Sequence, residues 1–294
     1  MKLITKLIFI FTLVVTNVVN SKETYSPIPD EQILAMVEMS SPEELQKILQ
    51  IPIDVNKQYG NTTLLNSTIR SIITGQNPNL TSDDIIKKIT LLINAGADVN
   101  LVANGTFTPL SVVASLPHAM RMTEKIYFDI IDEKMNSSSD ICNVNGKHKA
   151  CKDTTPEERE EMKKEIHSIF QVQKIKLEPY LIQVASILLD RGANINKKAK
   201  GIAPIHYSSQ VLNDDNPVLL KYLLEKGADP NITDFQGNTP LFVANFTNNK
   251  NVINLLLKAG ANSEIRNSKG QLYYEFKKGE YSNEFDYNIN QYLE

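Results

Sequence analysis

Asn94-Ala95-Gly96-Ala97-Asp98-Val99-Asn100 returns three times further along the chain, as Arg191-Gly192-Ala193-Asn194-Ile195-Asn196, Lys226-Gly227-Ala228-Asp229-Pro230-Asn231 and Ala259-Gly260-Ala261-Asn262-Ser263-Glu264. The four glycines stand 96, 35 and 33 residues apart. The period is therefore near 33, and the wide interval is one period plus an insertion of about 63 residues. A second motif keeps step with the first: Thr62-Thr63-Leu64-Leu65, Thr108-Pro109-Leu110-Ser111, Ala203-Pro204-Ile205-His206 and Thr239-Pro240-Leu241-Phe242. Between the motifs lie apolar runs such as Val218-Leu219-Leu220-Lys221-Tyr222-Leu223-Leu224, whose leucines recur at helical spacing.

The residue types explain the punctuation. Proline in the first turn of a helix loses no hydrogen bond, and a preceding Thr can cap the free amides, so Pro109, Pro204 and Pro240 start helices. Glycine after a helix takes the left-handed conformation that closes it, so Gly96, Gly192, Gly227 and Gly260 end them. Each unit is then a pair of helices followed by a short finger leading into the next unit.

This pattern resembles the ankyrin repeat, Gly-x-Thr-Pro-Leu-His-x-Ala followed by a Leu-rich second helix and Gly-Ala-Asp-Val-Asn. Gly201, Pro204 and His206, and Gly237-x-Thr239-Pro240-Leu241 with Ala244, stand in its register. The resemblance covers roughly residues 30–294. It implies an all-α solenoid of helix-turn-helix units with β-hairpin-like fingers, and His206 in a structural place. On this reading residues 22–56 form an N-terminal capping repeat, in which Ser41, Pro42 and Glu44 make a capping box, and residues 57–264 hold the full repeats. Residues 265–294, polar and rich in tyrosine, form a degenerate C-terminal cap.

Two insertions depart from the pattern. The polar run Gly75 to Asp83 is expected to be a lengthened loop. The larger insertion, about residues 118–178, is expected to be a helical hairpin. Met122, Ile126, Ile130 and Ile131 are assigned to one helical face and Met162, Ile166, Ile169 and Phe170 to another, with Thr155-Pro156-Glu157-Glu158 as the box opening the second helix. Its polar tip carries the two cysteines of the chain, Cys142 and Cys151, expected to form a disulfide rather than a redox switch or, with His148, a metal site.

Composition narrows the class. Of the 294 residues 41% are apolar and 22% charged, so a packed core is affordable, and a net charge of -3 gives no general attraction for nucleic acid. Lys2, Lys6 and the apolar run Leu7 to Val15 have the form of a secretory signal, so residues 1–21 are expected to be cleaved. Removing them with their two lysines takes the net charge to -5. The expected location is periplasmic or secreted, with no membrane span after cleavage, which also suits a disulfide. Seven Asn-x-Ser/Thr triplets, at Asn61, Asn66, Asn79, Asn104, Asn136, Asn231 and Asn245, fit an Asn-rich composition.

No Gly-x-Ser-x-Gly, phosphate loop or His-Glu-x-x-His is present, so no enzyme, cofactor or metal is expected. The working surface of an ankyrin stack is its concave row of finger tips. Here those tips contribute Lys57 and Tyr59, then Lys197, Lys198 and Lys200, then Phe235 and Gln236, then Arg266 and Lys269, six basic side chains against the single acid Asp234. The expected function is an exported adaptor or effector that binds, as a monomer, a protein with an acidic segment, with Tyr59 and Phe235 as anchors. The alternative is a periplasmic structural or inhibitory protein acting on an envelope partner.

Overall fold

The computed structural model describes residues 28–74, 77, 79–103, 105, 107–134, 141–144, 147–210 and 217–276. The expected signal peptide, and the expected C-terminal cap beyond residue 276, lie outside them. The chain forms two compact units, one from the residues up to Val113 together with Gln183–Pro204, the other from Ala114–Ile182 and the residues from Ile205 onward.

The first unit opens with the capping pair α1 (Asp30–Met39) and α2 (Pro42–Ile48). Ser41 Oγ accepts from the Glu44 amide at 3.2 Å and the Glu44 carboxylate accepts from the Ser41 amide at 2.8 Å, the reciprocal box expected from the sequence. The next pair is α3 (Leu64–Thr74) and α4 (Ser82–Asn94), and α1 packs on α3 as α2 packs on α4. Val37, Leu45, Ile48, Leu64, Leu65, Ile69, Ile89 and Leu92 fill the space between them. The end of the expected loop is instead a second capping box, in which Thr81 Oγ1 accepts from the Asp84 amide and the Asp84 carboxylate accepts from the Thr81 amide at 3.0 Å.

Every repeat closes in one way. Gly96, Gly192, Gly227 and Gly260 have φ between +85° and +97°. The following alanine amide reaches back to a leucine carbonyl: Ala97 to Leu92, Ala193 to Leu188, Ala228 to Leu223, Ala261 to Leu256, all at 2.9 or 3.0 Å. Leu and Ala at these two places also supply the small apolar contact that accompanies this closure, which is why the sequence repeats Gly-Ala after a leucine-rich run.

The large insertion is not a separate hairpin set between the helices of its repeat. The first helix of that repeat, α5 (Pro109–Asp129), runs on for 21 residues and ends in a π turn over Ile130–Lys134. The second, α6 (Pro156–Asp190), starts early and runs for 35 residues. The two arms of the hairpin are thus extensions of the repeat's own helices, and interior prolines, Pro117 and Pro179, stand where each helix leaves the repeat. Each proline withholds one helical N–H, which favours a bend at that point. Thr155 and Glu158 form the expected box at the start of α6.

The arms are joined by a two-stranded antiparallel sheet, β1 (Ile141–Val144) and β2 (Lys147–Ala150), with Cys142 opposite Lys149. The polar tip expected from the sequence is thus a β-hairpin, and its signal in the sequence is Asn145-Gly146 between two short runs. Between the arms Ile131 and Cys151 are buried, with Met162 and Ile166 against them. His167 Nδ1 lies 2.5 Å from Glu124 Oε1, and Lys163 Nζ 2.5 Å from Asp132. The assignment of Ile126, Ile130 and Ile131 to one buried face is corrected: Ile131 points inward and the other two are exposed. Ile169 is likewise exposed, whereas Ile166 and Phe170 are partly covered.

The second unit continues with α7 (Pro204–Ser208), α8 (Val218–Glu225), α9 (Pro240–Phe246) and α10 (Lys250–Lys258). Leu220, Leu223, Phe242, Val252 and Leu256 are its buried centre. Phe276 covers its end by packing edge-on to Phe242, ring centres 5.6 Å apart, and its carbonyl accepts from Asn245.

Candidate protein-binding fingers

Neighbouring repeats are clasped by an asparagine. The Asn56 amide donates to the Gly96 carbonyl at 2.9 Å while its oxygen accepts from the Asp98 amide at 2.7 Å. Asn100 does the same with Gly192 and Asn194, and Asn231 with Gly260 and Asn262. Each clasp fixes the root of a finger. The fingers are closed by short antiparallel bridges at Tyr59 and Thr62, Ala103 and Phe107, and Ala199 and Ile202. Asp234 donates its amide to the Asn238 carbonyl at 2.8 Å, and Asn267 donates its own to Gln271 at 3.0 Å.

The tips differ in what they present. Lys57 is held by Asp30 at 2.7 Å. Tyr59, expected to be an anchor, is 3% exposed, and its hydroxyl donates to the Asp54 carbonyl at 3.0 Å. The bridge to Thr62 turns the ring into the stack, so Tyr59 is part of the core and not of the binding surface. Lys198 and Lys200 are exposed and Lys197 half-buried. Lys200 has φ +47° beside Gly201 at +77°, a turn geometry that holds its side chain at the apex of the finger.

In the second unit Phe235 is 45% exposed. Its neighbour Gln236 is half-buried, its carbonyl accepting from the Ser268 amide at 2.9 Å, so the tips carrying Phe235 and Lys269 lie in direct contact. Gly237 is required there: a Cβ would meet the Ser268 amide at 2.9 Å. Arg266 donates to the Gly270 carbonyl and stands 3.6 Å from Glu275. Asp234, the single acid among the tips, is buried and accepts from the amides of Gln236 and Asn238 and from the Asn238 side chain. Asn238 passes the network on by accepting from Asn267 at 3.1 Å. The outward surface of the tips is therefore more basic than a residue count suggests. No signal in the sequence separates the inward Asp234 from the outward Phe235, since both sit in one turn.

His206 is buried with Nε2 3.2 Å from the Asn238 carbonyl, the structural place that its register implies. Lys88 is buried, donating to the Val37 carbonyl at 2.6 Å and the Glu38 carbonyl at 3.0 Å. Burial pulls its pKa down to about 8, against the opposing pull of Glu38 and Glu44. Sequence reasoning missed this residue because a lysine at helical spacing reads as surface. Among the Asn-x-Ser/Thr triplets, Asn66 is buried and the side-chain amides of Asn231 and Asn245 are engaged. Among the described residues no group of three or more His, Cys, Asp or Glu side chains could hold a metal ion, and no helix is long and apolar enough to cross a membrane.

Repeated helix pairs, glycine closures, asparagine clasps and bridged fingers define a solenoid of ankyrin type, and residues 178–267 match the model for ankyrin repeats in three copies. The chain thus carries ankyrin repeats, matched over residues 178–267. It is 40% identical over 108 residues to a putative ankyrin repeat protein of Rickettsia felis, covering 33% of this chain and 44% of that one. It is 41% identical over 64 residues to a putative ankyrin repeat protein of fowlpox virus, 21% of this chain and 32% of that one. A third match, 38% over 82 residues, is to the human transient receptor potential cation channel subfamily A member 1, covering 27% of this chain and 7% of the channel. The chain spans less than half the length of each of these relatives. Ankyrin repeats are general protein–protein interaction modules and are as a family non-catalytic.

Proposed function

We propose that this chain is an exported, non-enzymatic adaptor that binds a protein through its finger tips, and that the bound segment is acidic. Two observations carry the reading, each within its own unit: Lys198 and Lys200 face outward on the bridged tip of the first, and Phe235 faces outward beside an inward Asp234 in the second. Rim lysines raise the rate of encounter with an acidic segment, and an exposed aromatic ring gives residence once docked. Export rests on Lys2, Lys6 and the apolar run after them. A bridge between Cys142 and Cys151 belongs to the same reading, supported by strand pairing that sets Cys142 opposite Lys149 and by the buried sulfur of Cys151.

The test is a pull-down from the source cell with the mature chain, followed by binding kinetics at two salt concentrations. Lys198→Glu with Lys200→Glu is expected to slow association about tenfold and flatten its salt dependence, while Phe235→Ala is expected mainly to speed dissociation. Unchanged rates for both variants would remove the tips from the interaction. Fractionation of the cell, its envelope and its medium separates an effector from an envelope inhibitor.

A further inference from the structure

The hairpin arms carry more apolar surface than their own pairing uses. The cross-arm links Glu124 to His167, Tyr127 to Phe170 and Asp132 to Lys163 run antiparallel, and they define the inward line of each helix. With about 100° per residue, Ile130 and Ile126 on α5 rotate away from that line in one sense. Ile169 on α6 rotates in the same sense and Val172 lies directly opposite the line, which in an antiparallel pair places Ile126, Ile130 and Ile169 on one flank with Val172 at its outer edge. Each is between 38 and 49% exposed. The opposite flank carries the ion pair of Lys125 with Asp129 and the exposed Ile175.

Within α6 the exposed flank reads Glu165, Ile169, Val172 and Lys176, spaced i, i+4, i+7 and i+11, the spacing of a two-helix seam. The seam is its own complement. A two-fold axis crossing α6 between Phe170 and Gln171 sets Ile169 against Val172 of a second copy and Glu165 against its Lys176, so both apolar and charged pairs are made twice. These four apolar side chains expose on the order of 300 Å², over a third of the roughly 800 Å² that each partner buries in a stable interface, the charged Glu165 and Lys176 flanking them.

We propose that this flank seats a second copy of this chain, two hairpins packing as an antiparallel four-helix bundle around the α6 seam, in place of the monomer expected from the sequence. Sedimentation equilibrium of the full chain from about 1 to 100 μM tests it. The expected result is a concentration-dependent species of twice the 33.1 kDa monomer. Ile169→Asp is expected to weaken dimerisation at least a hundredfold with unchanged circular dichroism. Glu165→Lys alone is expected to weaken it about tenfold by facing Lys176 with a like charge, and Glu165→Lys combined with Lys176→Glu is expected to restore it. The charge-swap series involves only exposed positions, so it stands even where Ile169→Asp loses helicity. A monomer throughout the concentration range overturns the proposal, and so does a dimer indifferent to Ile169→Asp or a double swap that fails to restore association. The first of these leaves the flank to another protein or to residues 277–294.

Discussion

Asparagine is the only residue that can work the clasp between repeats, because one short side chain must donate to a glycine carbonyl and accept from an amide two residues further on. Asn231→Asp keeps the acceptor but sets a carboxylate against the Gly260 carbonyl, so it is expected to cost at least as much as Asn231→Ala, about 1 to 2 kcal/mol by urea denaturation, since these bonds are near solvent. Lys88 makes a different prediction. Its folded pKa, about 8, lies below the ordinary value of 10.5, so below pH 8 the charged amine burdens the folded state in full. Between pH 8 and 10.5 the folded state sheds the proton first and stability rises with pH. The stability difference between Lys88→Met and the wild type is therefore expected to change steadily from pH 8 to 9.5 in parallel denaturation series. That window ends before Tyr59 and Tyr207, whose burial raises their pKa values, begin to oppose the trend. Parallel stability curves would remove Lys88 from the pH response.

The helices show where sequence and structure agree and where they part. Pro109, Pro204, Pro240 and the four glycines mark true boundaries, since proline and glycine act through the backbone they occupy and need no knowledge of neighbours. The arms were harder to read, because a helix paired on one side and exposed on the other carries two apolar lines. Ile131 and Ile126 are both isoleucine at helical spacing, and only the partner helix separates inward from outward. Glu124 reverses the usual rule, a carboxylate 3% exposed between arms while isoleucines face solvent. The fingers show the same limit at smaller scale: register placed Tyr59 and Phe235 alike at tips, but direction within the turn is set by the bridge each finger makes. Glu124→Ala removes the shared acceptor of Arg121 and His167. It is expected to open the arms locally, speeding amide exchange in residues 156–170 at least tenfold while leaving residues 218–258 unchanged. Uniform acceleration would mean that the arms and the repeats unfold as one element.

Across the molecule, stability is the sum of neighbouring contacts rather than the property of one core. Leu223 is fully buried in the second unit, and Leu223→Ala is expected to cost on the order of 2 to 5 kcal/mol. Exchange is expected to quicken most in α8 and α9, with little change in α1 and α2; equal change throughout would show full cooperativity. The clasp spans very different chain lengths, 29 residues from Asn231 to Gly260 but 92 from Asn100 to Gly192, with the same bond at 3.1 and 2.9 Å. A repeat therefore cannot sense how much polypeptide leaves through one helix and comes back through the other. The crossing at Pro117 and Pro179 is in effect a docking port, open to cargo of any length whose two strands exit and re-enter side by side. Continuity of the backbone is dispensable at its far end. With both cysteines replaced by serine, a chain cut between Val144 and Lys147 is expected to co-purify as two fragments and to keep its helical signal, and separation of the fragments on a sizing column would show that the port needs an unbroken tether.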